Sequence, residues 1–150
     1  MGAEILVTNI SEYVIDRTVL DGADDRKWLT IPYETGAFNG EMLVAMDNFH
    51  PAEVKIKLDA KGWHKIYFGL VAFGGRSLLG VQIGDGGKTI IEPKPRISRW
   101  QNHEWIEENF FRAADLTDQI LTLSKPENDG KNFTTGVAYI RLVPMMSEEV

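Results

Sequence analysis

From Arg99 to Trp105 the sequence reads Arg-Trp-Gln-Asn-His-Glu-Trp: two indoles with a guanidinium, two amides, an imidazole and a carboxylate close by. These residue types suit one kind of chemistry together. A flat indole covers the apolar face of a ring, while neighbouring polar groups exchange hydrogen bonds with a rim of hydroxyls. A sugar presents both surfaces. Trp100 and Trp105 are therefore candidate stacking residues, and Arg99, Asn102, His103 and Glu107 candidate hydrogen-bonding partners. Pro93 and Pro95 stiffen the backbone that leads into this segment. Trp63 and Tyr67, with Lys65 between them, form a second candidate platform on one face of a strand-like run. Aromatics at strand spacing also serve as core residues, and for Trp63, Tyr67 and Trp100 the sequence leaves both roles open.

Other chemistries find less support. No Gly-x-Ser-x-Gly elbow supplies a hydrolytic nucleophile. Gly84-Asp85-Gly86-Gly87 lacks the Lys-Ser/Thr that would follow in a phosphate loop, and reads as a hairpin turn. His50, His64 and His103 show no metal-ligand spacing; His103 with Glu104 and Glu107 is the nearest to a cluster, and His64 is expected in the core with a hydrogen-bond partner. Glu107 and Glu108 are adjacent carboxylates, but neighbours on a strand point to opposite faces and cannot flank one glycosidic bond. Without cysteine there is no disulfide, thiolate catalysis or Cys-ligated zinc.

The totals narrow the partners. A chain of 150 residues fits one domain, with enough surface to bury that it needs no staple. Its formal net charge of -6, with no basic stripe, argues against a nucleic acid partner. No apolar run is long enough to span a bilayer, so no membrane partner is expected. Met1-Gly2-Ala3-Glu4 does not read as a signal peptide, and Leu6 stands where a myristoylation motif wants Ser or Thr. Localisation stays open, with secretion as part of a longer protein one expectation. Asn9-Ile10-Ser11 and Asn132-Phe133-Thr134 match the glycosylation sequon, a pattern that matters only in a secretory pathway.

The elements that must position these residues are strands. Val54, Ile56 and Leu58 alternate with Lys55 and Lys57, the period of a half-buried strand. After a turn at Asp59–Gly62, a strand from Trp63 to Phe73 puts His64, Ile66, Phe68 and Leu70 on one face and Trp63, Lys65, Tyr67 and Val71 on the other. Leu79, Val81 and Ile83 mark a third strand, and Thr89–Glu92 a short one at a sheet edge. Residues 96–112 read as a loop followed by a strand. Ile120–Leu123 and Val137–Val143 are strands, the last with Ala138, Ile140 and Leu142 facing inward. Ile5–Thr8, Trp28–Pro32 and Glu41–Met46 complete the set. Many short strands separated by Gly, Pro and Asp turns, with no long helix, predict an all-β, two-sheet antiparallel β-sandwich in one domain over 1–150.

Several segments carry a resemblance. Val54–Leu58, the turn at Gly62 and Trp63–Leu70 resemble the middle hairpin of galactose-binding-like jelly rolls. Gly136–Pro144 resembles their closing strand, and Ala114–Thr117 with Ile120–Leu123 the penultimate one. That group includes carbohydrate-binding modules of families 6 and 35 and accessory domains of many bacterial polysaccharide-degrading enzymes. The resemblance implies a non-catalytic domain binding a polysaccharide or oligosaccharide, at edge loops (Trp100, His103) or on a sheet face (Trp63, Tyr67). It also implies an attached catalytic domain, the chain being the N-terminal part of a longer protein. Such modules often carry a structural calcium; here Ala138 stands where a closing-strand Asp is expected, leaving Glu4 and Asp115 as oxygen donors and no assigned cofactor. Two alternatives stand beside sugar binding: a structural domain that packs on a catalytic partner or forms a homodimer, and a small metal-dependent β-barrel enzyme.

Overall fold

The computed structural model describes residues 3–21, 26–34, 39–45, 49–71, 78–92, 106–126 and 135–145. Among them ten strands run in chain order: β1 (Ile5–Val7), β2 (Leu29–Glu34), β3 (Asn39–Ala45), β4 (Val54–Ile56), β5 (Trp63–Val71), β6 (Leu79–Ile83), β7 (Thr89–Ile91), β8 (Ile106–Asp115), β9 (Leu121–Ser124) and β10 (Thr135–Pro144). Two short 3₁₀ turns, Ile10–Tyr13 and Arg17–Val19, lie between β1 and β2. One sheet has the order β2-β3-β10-β5-β8, with β1 also on β10; the other has the order β4-β9-β6-β7. Every named pairing is antiparallel. The predicted two-sheet sandwich is the observed architecture.

Alternation builds the interior. His64, Ile66, Phe68 and Leu70 are buried on the inner face of β5, as their period demands. Ile140 and Leu142 of β10 and Leu43 and Ala45 of β3 join them. From the second sheet come Val54 and Ile56, Leu79 and Val81, and Leu121 and Leu123. Trp28 is fully buried, and its indole N–H donates to the Ala52 carbonyl at 2.8 Å. His64 is also buried, with Nδ1 3.1 Å from the Gly62 carbonyl oxygen. Pro32 sits on β2, which among the described residues is an edge strand paired with β3, so its missing N–H removes no ladder bond from a central strand.

Three details depart from the sequence expectation. Ala138 does not face the main core. The β10–β5 register shifts between Val137 and Tyr139, so Val137 points inward in place of Ala138. Ala138 and Tyr139 instead join Tyr33, Met42 and Val44 in a smaller cluster on the other side of the sheet, where the Tyr33 hydroxyl donates to the Ala138 carbonyl at 3.0 Å. The strand expected to end by Arg112 runs on to Asp115, absorbing Ala114-Asp115 from the segment that resembled a penultimate strand. The next strand starts at Leu121, leaving Ile120 exposed, and takes in Ser124.

Phe68 spans the middle of this interior and meets Phe111 edge-on with ring centroids 5.7 Å apart. Phe68→Ala removes a large buried ring that the surrounding β-structure cannot collapse to fill. It should lower unfolding free energy by about 3–5 kcal/mol in urea titrations followed by tryptophan fluorescence.

Candidate functional site

The face of β5 turned away from the core carries Trp63, Lys65, Tyr67 and Gly69. Residues paired directly across an antiparallel ladder share a face. Trp63 is therefore beside Asp115, Lys65 between Ala113 and Val143, Tyr67 between Phe110 and Arg141, and Gly69 between Glu108 and Tyr139. Leu6 of β1 continues the Tyr67 row beyond Arg141. Four strands thus supply one outer surface.

Phe110 reaches this surface because of a bulge. The β5–β8 register shifts between Ile66 and Tyr67, which pair with Arg112 and Phe110. The extra residue, Phe111, packs against the core, and Phe110 turns outward. The Phe110 and Tyr67 rings lie 5.2 Å apart with planes tilted by 55°. From the other side, the Arg141 guanidinium sits 4.1 Å from the Tyr67 ring centroid, within cation–π range. Tyr67 is thereby flanked on both sides. The open aromatic surface belongs to Phe110, 56% exposed, and Trp63, 41% exposed. Trp63 and Tyr67 are roughly 13 Å apart along the strand. The row between them holds Lys65 flanked by the short side chains of Ala113 and Val143.

Beside the aromatics lies a polar network made possible by a glycine. A Cβ on Gly69 would fall 2.2 Å from the Tyr139 ring. Lacking it, β5 lets that ring lie across its backbone, and the Tyr139 hydroxyl donates to Glu108 Oε2 at 2.6 Å. Arg141 Nε donates to Glu108 Oε1 at 2.9 Å and Arg141 Nη2 donates to the same oxygen, while Nη1 donates to Glu4 Oε1 at 3.1 Å. Partial burial works to raise the Glu108 carboxyl, but the hydrogen bonds from Arg141 and Tyr139 outweigh it and hold the group below the ordinary carboxylate range. The Tyr139 hydroxyl is pushed up, by burial first and then by its bond to Glu108. Asp115 is lowered by the backbone and side chain of Thr117, part of the turn that follows β8.

The predicted site residues divide into three groups. Trp63 and Tyr67 share this outer face and are not core. Glu107 points the other way, since its partner Leu70 faces the interior; it does not join them. Arg99, Trp100, Asn102, His103 and Trp105 lie outside the described residues. Phe110, Arg141 and Tyr139 were not singled out from sequence, and Glu108 was weighed only as a catalytic carboxylate beside Glu107. The lone glycine within the strand Trp63–Val71 was the available sign of a close cross-strand approach.

The implied calcium does not fit the proposed donors. Glu4 precedes β1 and is engaged by Arg141, whereas Asp115 ends β8, with β10 and β5 between them. At the usual strand spacing that is roughly 14 Å, too far for one ion. Among the described residues no group of three or more His, Asp or Glu side chains is placed to hold a metal. No described helix is long and apolar enough to cross a membrane.

Solved structures share this architecture. The chain superposes on the CBM36-1 domain of a multidomain xylanase from the hindgut metagenome of Trinervitermes trinervoides with a TM-score of 0.53 and 13% identity, over 96% of this chain and 99% of that one. The C-terminal CBM6 of LamC, a marine laminarinase from Zobellia galactanivorans, gives 0.51 and 12%, over 94% and 99%. The fold is that of the carbohydrate-binding-module jelly rolls. An exo-β-1,3-galactanase from Phanerochaete chrysosporium, solved with galactose, gives 0.50 and 12% over 75% of this chain, and the match spans only 26% of the galactanase. No family model matches the sequence, and no curated protein matches it. In this jelly roll strands distant along the chain lie side by side in each sheet.

Two measurements probe the network. Gly69→Ala forces Tyr139 off the β5 backbone and should cost about 1–3 kcal/mol in urea unfolding, the usual range for overpacking. Glu108 is more acidic folded than unfolded, so its stabilising effect is present above the unfolded value of about 4.3 and is lost as pH falls through the folded one. The difference in Tm between wild type and Glu108→Gln should accordingly hold steady near neutrality and shrink below about pH 4.

Proposed function

We propose that this domain is a non-catalytic carbohydrate-binding module whose ligand lies on the outer face of the β1-β10-β5-β8 surface. One observation carries the reading: two exposed aromatics, Trp63 and Phe110, stand beside an ordered array of hydrogen-bonding groups on one rigid sheet. Trp63 and Phe110 stack on the apolar faces of sugar rings. Glu108, Glu4 and Lys65 meet the hydroxyls; the two carboxylates retain lone pairs beyond those used by Arg141 and Tyr139. Strand backbones fix both elements, so little ordering entropy opposes binding. Contacts of this kind on an open surface predict micromolar or weaker affinity, about -5 to -8 kcal/mol.

The solved modules that share the fold support this reading: one is a domain of a multidomain xylanase and the other is the C-terminal CBM6 of a laminarinase. An attached catalytic domain is the partner we propose on that basis. A homodimer or domain-packing seam fits this face less well. Leu6, Trp63 and Phe110 are exposed, but the charged cluster of Arg141, Glu108 and Glu4 lies among them, and interface cores are depleted in charge. The segment holding Arg99, Trp100, Asn102, His103 and Trp105 remains the second proposed sugar surface.

Affinity electrophoresis through gels containing laminarin, galactan, mannan or arabinoxylan tests the proposal. Wild type should be retarded by at least one polysaccharide. Trp63→Ala and Phe110→Ala should each weaken that retardation about tenfold, with unfolding midpoints close to wild type. Trp100→Ala measured alongside tells the two surfaces apart: loss only in that variant moves the site to the 99–105 segment. No retardation on any of the four gels counts against carbohydrate binding itself.

A further inference from the structure

The charged groups around Trp63 and Phe110 are not equally available to a ligand. Arg141 is engaged on every side the sheet offers. Nε and Nη2 are turned to Glu108, Nη1 to Glu4, and the guanidinium plane rests over Tyr67. Arginine is the side chain best suited to grip a planar carboxylate in two places, and this one already directs two of its N–H groups to a single oxygen of Glu108. Two further charges border the aromatics: Asp115 opposite Trp63, and Lys65 in the row between Trp63 and Tyr67. Among the described residues, three carboxylates, Glu4, Glu108 and Asp115, thus face two cations, Arg141 and Lys65, which is one surplus negative charge beside the platform. The chain as a whole carries a formal charge of -6, which adds to that field.

We propose that Glu108 is the specificity-determining residue of this face: by sequestering Arg141 it makes the site select uncharged glycans and reject polyuronates. This rests on the carbohydrate-binding reading and deepens it. A neutral ring needs only stacking and acceptors for its hydroxyls, and the free lone pairs of Glu108 and Glu4 are such acceptors. A uronate carboxylate brought to the same place meets two carboxylates and a guanidinium whose Nε and Nη2 already serve Glu108 and whose Nη1 already serves Glu4. Lys65 alone cannot reverse the balance, because Asp115 and the unpaired share of the Glu4–Glu108 charge lie on either side of it. Tyr139 and Gly69 act through Glu108: the ring over Gly69 holds the carboxylate in place for Arg141.

Wild type, Glu108→Gln and Glu4→Gln are compared in gels of polygalacturonate or alginate and in the neutral gels described above. Wild type should be retarded in a neutral gel and run unretarded in the polyuronates. Glu108→Gln frees the main grip on Arg141 and removes a negative charge, so its apparent affinity for polyuronate should rise about fivefold at low salt. Glu4→Gln, an exposed change that leaves the Glu108 grip intact, should give a smaller gain in the same direction and keeps the test valid if Glu108→Gln misfolds. Both gains should vanish near 1 M salt, where screening falls to about 3 Å. Wild type held by polyuronate as strongly as by a neutral glycan overturns the proposal, and so does the absence of any gain in both folded variants. Those results leave carbohydrate binding standing, whereas a wild type retarded by nothing removes it.

Discussion

Burying one face of β10 against the second sheet fixes the orientation of nearly everything else. β10 pairs with β1, β3 and β5, so its register sets which side of each neighbour meets the core and which meets water. The side-chain period of a strand is two, and a slip of one residue would expose Ile140 and Leu142 while burying Arg141. Burial of an unpaired guanidinium and loss of two large aliphatic contacts would each cost several kcal/mol. That penalty locks the register. Trp63, Tyr67 and Phe110 then face outward as a consequence of where Ile66, Phe68 and Leu142 must go.

Two interruptions of the period decide the detail. At Val137/Tyr139 the alternation of β10 skips a step, which turns Val137 inward and leaves Ala138 beside Tyr139 on the outer side. Opposite Ile66/Tyr67 the bulge in β8 sends Phe111 inward and Phe110 outward. The two bulges border neighbouring outer rows, Gly69 with Tyr139 and Tyr67 with Phe110. Without the first, Ala138 would face the core in step with Ile140 and Leu142; without the second, Phe111 would stand opposite Tyr67 and Phe110 would turn inward. Bulges commonly re-aim side chains in this way near functional surfaces.

Much of the architecture was legible because strict alternation is a strong signal. Val54-Lys55-Ile56 and His64-Lys65-Ile66-Tyr67-Phe68 announce both their conformation and their faces, and β4 and β5 appear where the pattern places them. The inner set of β5 was readable in full. The inner set of β10 was not, because a bulge is a backbone irregularity with no obligatory residue type, and Ala138 is compatible with either face. The same limit hid Phe110: in Asn109-Phe110-Phe111-Arg112 either phenylalanine could be the buried one. Glu107 was grouped with Trp100 and Trp105, which lie outside the described residues; its pairing with Leu70 turns it to the opposite side from Trp63. Nearness along a strand is a poor guide to a shared surface, and cross-strand register is a better one.

The likeness to other jelly rolls and the character of this face answer different questions. Modules at 12–13% identity share the sandwich because its constraint is the inner faces, which any apolar residues of suitable volume satisfy. The outer face is free of that constraint, so nothing about the fold dictates Trp63, Gly69, Glu108 or Arg141. Their arrangement is interdependent instead. Arg141 can lie over Tyr67 only if its charge is met on that exposed sheet, and Glu108 meets it from the neighbouring strand but one, across the gap left by Gly69. A charged lattice of this kind contributes little to global stability where solvent screens it. Its physical effect is to hold long side chains in one conformation beside two open rings, so the face is already ordered and already committed in charge.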